Sequence, residues 1–384
     1  MPITLTRRSF GAGVAVLAAG AARAAGVAYV EAVLGQMAAL GDGPALLNSY
    51  LIEGGSDDFD LTQANAAYVY DNALAGLLLL AAGHRDAALR IGQALALAQA
   101  HDRKFSDGRL RNAYAAGVMA TPAKLPGFWD AKAGRWAEDP YQLGTDTGPV
   151  AWAMLLWAAL GMRAPADDAG DFIDAALRAP HGYYGGLYGF DPSQQRLYWQ
   201  STEQNTDLAA AFRILGRAED AGHARGFVQA MFDTNLHRFD SGCGPDGAVN
   251  HLLAADAGIW PYLAGLGDAA SALAAIEALR RGDGIGFSDA STSIWLEGTA
   301  FSALALRKMG NGLADAFTAT IGANVSPEGY VYATVAPMLS TGLTVGPALQ
   351  NNIPELAFNY YRRPSLSATC WAGLAVLGTN PLAP

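Results

Sequence analysis

Apolar residues along the chain fall into two alternating kinds of segment. One kind is apolar nearly all round, which marks a helix covered on every side. Ala64 to Ala82 is of this kind, with Tyr-Val-Tyr-Asp-Asn-Ala-Leu-Ala-Gly-Leu-Leu-Leu-Leu at its heart, and Gly83 ends it. The other kind is amphipathic, as in Asp86 to Ala100, and reads as the outer mate of the segment before it. The alternation repeats down the chain. Val150 to Leu160 precedes Asp168 to Arg178, and Glu203 to Leu215 precedes Ala218 to Phe232. Ala254 to Leu266 precedes Ala269 to Arg280, and Trp295 to Met309 precedes Leu313 to Ile321. Ser365 to Leu377 stands last, and Val27 to Leu40 stands first. The pattern predicts about twelve helices in inner and outer roles. Tyr183 to Phe190 and Gly329 to Thr334 are the expected short hairpins, and the acidic stretch Glu53, Asp57, Asp58 and Asp60 is expected on the surface.

Helices paired this way, with long loops rich in glycine, proline and aromatics, suggest an all-α (α/α)6 toroid of six helical hairpins with a few short strands. An open helical array is the alternative. The period is structural, because no fixed-length sequence repeat emerges. The lack of βαβ alternation and of GxGxxG argues against a nucleotide-binding sheet.

Composition narrows the function. Hydrophobic residues make up 51% and charged residues 16% of 384, which suits a large core. A net charge of −10 leaves no basic stripe for nucleic acid and no attraction to anionic lipid. Thr6-Arg7-Arg8-Ser9-Phe10, the weakly apolar run that follows and Ala22-Arg23-Ala24 form a twin-arginine export signal. Residues 1–24 are therefore expected to be removed after passage through the twin-arginine translocation machinery. The single toroid domain would begin at Ala25, and the product would be periplasmic or secreted. Loss of Arg7, Arg8 and Arg23 takes the charge from −10 to −13. The six histidines lack metal-ligand spacing, so neither metal nor cofactor is expected. Cys243 and Cys370 could pair or remain free.

The stretch around which the chain is organised is Trp199-Gln200-Ser201-Thr202-Glu203-Gln204-Asn205-Thr206-Asp207. Here a polar, aromatic loop runs into an apolar helix, with Ser201 or Thr202 as N-cap and Glu203 and Asp207 on one face. With Tyr70-Asp71-Asn72-Ala73, Trp295-Leu296-Glu297-Gly298 and the ending Tyr361-Arg362-Arg363-Pro364, this stretch resembles bacterial six-hairpin, glycosidase-like proteins of the (α/α)6 class. The resemblance implies that fold and a carbohydrate substrate. It suggests an activity without fixing one, since such toroids host hydrolases, lyases and epimerases.

Glycoside hydrolysis needs two carboxyl groups flanking the scissile bond. Glu203, Glu297, Asp207, Asp71 and Asp146 all lie within or beside apolar sequence, where burial raises a carboxyl pKa. Glu203 and Glu297 are favoured because each opens an inner helix beside a tryptophan. Either is the expected general acid, with Asp207, Asp71 or Asp146 as base. Tyr70, Trp199, Asn205, Trp295, Trp129, Tyr184 and Arg362 are the expected sugar contacts, and Arg362 or Arg363 is the expected ion-pair partner for Asp71. The expected function is an exported glycoside hydrolase acting on an oligo- or polysaccharide. A polysaccharide lyase using Tyr or His, with Asn205 or an arginine on a uronic carboxylate, is the second class. A non-catalytic periplasmic glycan-binding protein is the third.

Overall fold

The structure is a computed structural model and describes residues 26–52, 58–347 and 357–383. The twin-arginine segment, Glu53 and Asp57 lie outside the described residues. Fourteen helices are present among the described residues, numbered here in chain order. Six make an inner ring: α3 (Val69–Ala81), α6 (Thr147–Leu160), α8 (Thr202–Ile214), α10 (Ala255–Leu263), α12 (Leu296–Lys308) and α14 (Leu366–Leu377). Each packs on the next, and α14 packs back on α3, so the ring closes. The outer layer is α1 (residues 26–38), α4 (Arg85–Ala100), α7 (Arg163–Leu177), α9 (Ala218–Ala230), α11 (Ala269–Ala278) and α13 (Leu313–Gly322). The remaining two helices, α2 (Asp58–Gln63) and α5 (Pro140–Leu143), are single turns in the loops. This is an (α/α)6 toroid.

A six-fold backbone clamp sets the register of the ring. The N-cap residue of each inner helix pairs, antiparallel, with the loop that follows the outer helix of the same hairpin. The pairs are Tyr68 with Ala113, Asp146 with Gly186, Ser201 with Gly242, Ala254 with Ser288, Trp295 with Thr334 and Ser365 with Tyr50. The last pair shows that α1 is the outer mate of α14, so first and last helices complete one hairpin. One residue further on, the first amide of each inner helix donates to the same loop. Val69, Thr147, Thr202, Ala255, Leu296 and Leu366 donate to the carbonyls of Asn112, Gly185, Ser241, Phe287, Ala333 and Ser49 at 2.8–3.0 Å. A helix start leaves such N–H groups unpaired unless something outside it accepts them. Here the loops do, so all six N-termini face one end of the ring in equivalent positions.

The lumen is filled by aromatics from five inner helices: Tyr70, Trp152, Trp260, Phe301 and Trp371. Their ring centroids lie 5.2 Å (Tyr70–Trp152), 5.4 Å (Trp152–Trp260), 5.5 Å (Trp260–Phe301) and 5.7 Å (Trp152–Trp371) apart, mostly edge to face. Under the loops Arg111, fully buried, pairs with Asp102 and Asp191.

Several expectations change. The first inner helix starts at Val69, because Ala66–Tyr68 is a strand paired with Ala113–Ala115. Asp71 therefore sits in the first helical turn and not mid-helix. Asp60 is buried and paired with Arg363, so that part of the acidic stretch is not a surface loop. Gly186–Tyr188 pairs with Thr145–Asp146 and Gln195–Leu197, while residues 329–334 make only isolated bridges. The longest hairpin, Met338–Thr344 with Ala357–Tyr361, was not expected. Cys243 and Cys370 are both buried and unpaired. No helix among the described residues is long and apolar enough to cross a membrane.

Candidate active site

The clamped N-termini surround a cavity of about 530 Å³. The second residue of each inner helix is Tyr70, Gly148, Glu203, Asp256, Glu297 and Ser367, and five of these six line the cavity. The exception is Gly148, where a Cβ would lie 3.2 Å from Glu203 Oε1 and 3.4 Å from Asp207 Oδ2. Its missing side chain makes room for that carboxyl pair. Asp71 and Asp146 join the lining from the third position of α3 and the N-cap of α6.

Glu297 receives two hydroxyl protons. Tyr70 donates at 2.6 Å to one oxygen and Ser367 at 2.7 Å to the other. The Trp371 indole N–H donates to the Tyr70 oxygen at 2.8 Å, which directs the phenol proton toward Glu297. Burial raises the Glu297 carboxyl to about 7, and these two donors pull against it. Glu203 is held differently. Burial pushes its carboxyl well above the ordinary range, and the charges of Asp256 and Asp146 add to the effect. Asp207 and then Ser201, whose hydroxyl is 3.4 Å away and also caps the helix through the Gln204 amide, pull against that rise. Glu297 is thus arranged as a hydrogen-bond-accepting carboxylate and Glu203 as a carboxylic acid.

The other carboxyls divide by depth. Asp207 is fully buried one turn behind Glu203 and does not line the cavity. Burial and then the Glu203 charge push it well up, and its polar neighbours are Glu203 and the Trp152 indole. Burial raises Asp146 to about 7 and Asp256 to about 6. Asp71 is raised by burial and by Glu297. Asp256, which opens α10 between the helices that carry Glu203 and Glu297, was missed in the sequence. Its neighbours Ala255 and Ala257 give no polar or aromatic hint. Its place two residues into an inner helix, matching Glu203 and Glu297, is the signal that would have found it.

No family model and no curated protein matches this sequence. Solved structures do match in fold. A glycosidase variant superposes with a TM-score of 0.59 at 13% identity, covering 94% of this chain and 98% of its own. Another variant of a glycosidase, in complex with glucose, gives the same figures. A D-mannose isomerase matches with a TM-score of 0.58 at 12% identity, over 92% of this chain and 96% of its own. These likenesses are likenesses of fold.

Of the expected sugar contacts, Tyr70, Trp199 and Trp295 line the cavity. Trp199 is fixed by an indole hydrogen bond of 3.0 Å to the Gly346 carbonyl, and its ring lies where a Gly185 Cβ would stand. Four others do not line it. Asn205 is spent on backbone, accepting from the Tyr183 amide and donating to the Tyr183 and Ser201 carbonyls. Asn72 does the same in α3, toward both backbone groups of Leu47 and toward Tyr68. Arg362 stacks on Tyr332 and bonds Asn324 and the Thr334 carbonyl, so it pairs with no cavity carboxyl. Tyr184 packs on Tyr198. Trp129, 60% exposed, faces its cross-strand partner Trp136 on a surface hairpin.

Proposed function

We propose that the chain is a glycoside hydrolase in which Glu203 protonates the leaving oxygen and Glu297 acts as the carboxylate partner. The observation that carries this reading is the contrast between two buried carboxyls on one cavity. Glu203 is surrounded by other acids and keeps its proton, while Glu297 accepts from Tyr70 and Ser367. Hydrolysis of a glycosidic bond requires that division into one acid and one base or nucleophile. Trp199, half-buried on the same cavity, gives a sugar ring an apolar face to lie on, with the buried Trp260 and Trp295 also in its lining. The glycosidase fold neighbours, one of them in complex with glucose, are consistent with a carbohydrate substrate.

Digestion of an oligosaccharide panel by the wild type, Glu203→Gln and Glu297→Gln tests it. Each variant should lose about 10²–10⁴-fold in rate. An aryl glycoside with a good leaving group needs no acid, so it should restore activity to Glu203→Gln and not to Glu297→Gln. Full activity in both variants would end the proposal. Binding of glycans without turnover would favour the glycan-binding reading instead. The lyase reading keeps lining tyrosines as bases, but Asn205 and Arg362, its expected partners for a uronic carboxylate, are both engaged away from the cavity.

The same proposal includes export through the twin-arginine route, carried by Arg7-Arg8 and Ala22-Arg23-Ala24. Substituting both arginines by lysine should retain the precursor in the cytoplasm. Unchanged export of that variant would refute this part.

A further inference from the structure

The charge of the cavity is one-sided. Asp58 and Asp139 join the five carboxyls described above, and no lysine, arginine or histidine is found among the described lining residues. Buried acids without a cation are held at a cost in solvation, which a cationic ligand would relieve. No group of three or more among the described residues could hold a metal ion, so the acids are spread too widely for one small cation. The walls between them are aromatic, including Tyr68, Tyr141 and Trp199. An acidic and aromatic lining is the surrounding that an organic ammonium group favours.

Among the carboxyls that line the cavity, one has a buried oxygen without a partner. Asp256 accepts from the Ala257 amide at 2.7 Å, and Asp139 accepts from the Tyr141 and Gln142 amides. Asp146, only 6% exposed and lining the cavity, has no hydrogen-bond partner at Oδ1. It stands at an N-cap yet makes no capping bond, and Pro149 at the third helical position has no N–H to offer. The indole nitrogens of Trp260 and Trp295, also on the lining and buried, are unpartnered too. A buried carboxylate oxygen needs a donor, and the cavity side is where a ligand would bring one.

We propose that the cavity takes a sugar with a free amino group, a 2-amino-2-deoxy sugar in its cationic form, with the ammonium on Asp146 near Glu203. The inference rests on the hydrolase reading of the same cavity and names its substrate class. The three ammonium protons fit the ionised form of Asp146, which accepts only and which a bound cation favours over the protonated form, and an N-acetyl group, neutral and bulkier, does not fit it.

Calorimetric titration of the purified protein near neutral pH tests it, using glucose, galactose and mannose, their 2-amino forms and their N-acetylated amino forms. The best-bound 2-amino sugar should bind about tenfold or more tightly than its parent hexose, the ratio a charge-assisted hydrogen bond supplies. The N-acetyl form should lose that advantage, added salt should shrink it, and in Asp146→Asn the ratio should fall to near one. Equal or weaker binding of every amino form, or no binding of any, overturns the inference. Hydrolysis of neutral glycans with no amino preference sinks the inference and leaves the hydrolase. Tight amino-sugar binding with no glycan cleaved does the reverse.

Discussion

Glu203 and Asp207 lie one turn apart on α8, and only the first reaches the cavity. Being deeper, Asp207 has its carboxyl pushed well up by burial, and under the proposed hydrolysis it is a positioning residue behind Glu203. Asp207→Asn is nearly isosteric with a protonated acid, so its kcat should stay within about tenfold of wild type. A fall of about 10³-fold or more would show that the aspartate must ionise, as a base would. The same variant removes a buried acid whose proton affinity rises on folding, so its Tm should exceed that of wild type above pH 7. Glu203, Glu297, Trp199 and Trp295 were legible as a carboxylate and a tryptophan at the head of an apolar run. Asp60 was not, because its partner Arg363 is 303 positions away and nothing local announces the pair.

The inner helices were legible because being covered on both sides makes them apolar all round. The clamp that holds them was not, since its strands are one to three residues long and its bonds run between backbone groups that any sequence supplies. The side chains that support the clamp do leave a trace. Asn72 and Asn205 occupy the same place, four residues after the N-caps Tyr68 and Ser201. Asn205→Ala strips three hydrogen bonds from buried backbone and should destabilise the fold by about 2–4 kcal/mol in denaturant unfolding. If the residue bound sugar instead, KM would rise while stability held. Gly185→Ala separates the two effects the other way. Its Cβ would fall 2.4 Å from the Trp199 ring, so the indole must move, and KM should rise several-fold in a chain that still folds.

Over the whole molecule two sets of carboxyls oppose each other in pH. Asp102 and Asp191 are disfavoured by burial, yet the Arg111 guanidinium outweighs it and holds both below the usual range. Their contribution is present above the unfolded pKa and is lost as acid protonates them. The cavity acids are raised instead, Asp146 and Glu297 to about 7 and Asp256 to about 6. The folded chain then binds more protons than the unfolded chain between about pH 4 and pH 7, so stability falls as pH rises through that window. Thermal unfolding should therefore show a maximum on the acid side of neutrality, with Tm falling by pH 8. A Tm that rises steadily from pH 5 to pH 8 would contradict the buried acid ring. The most direct test of the central claim is glycan cleavage in heavy-oxygen water, with products read by mass. Hydrolysis predicts one heavy oxygen per bond broken, and none detectable above background when Glu203→Gln or Glu297→Gln replaces the wild type on an unactivated glycan. Cleavage without label, or labelled cleavage that persists in both variants, would contradict it.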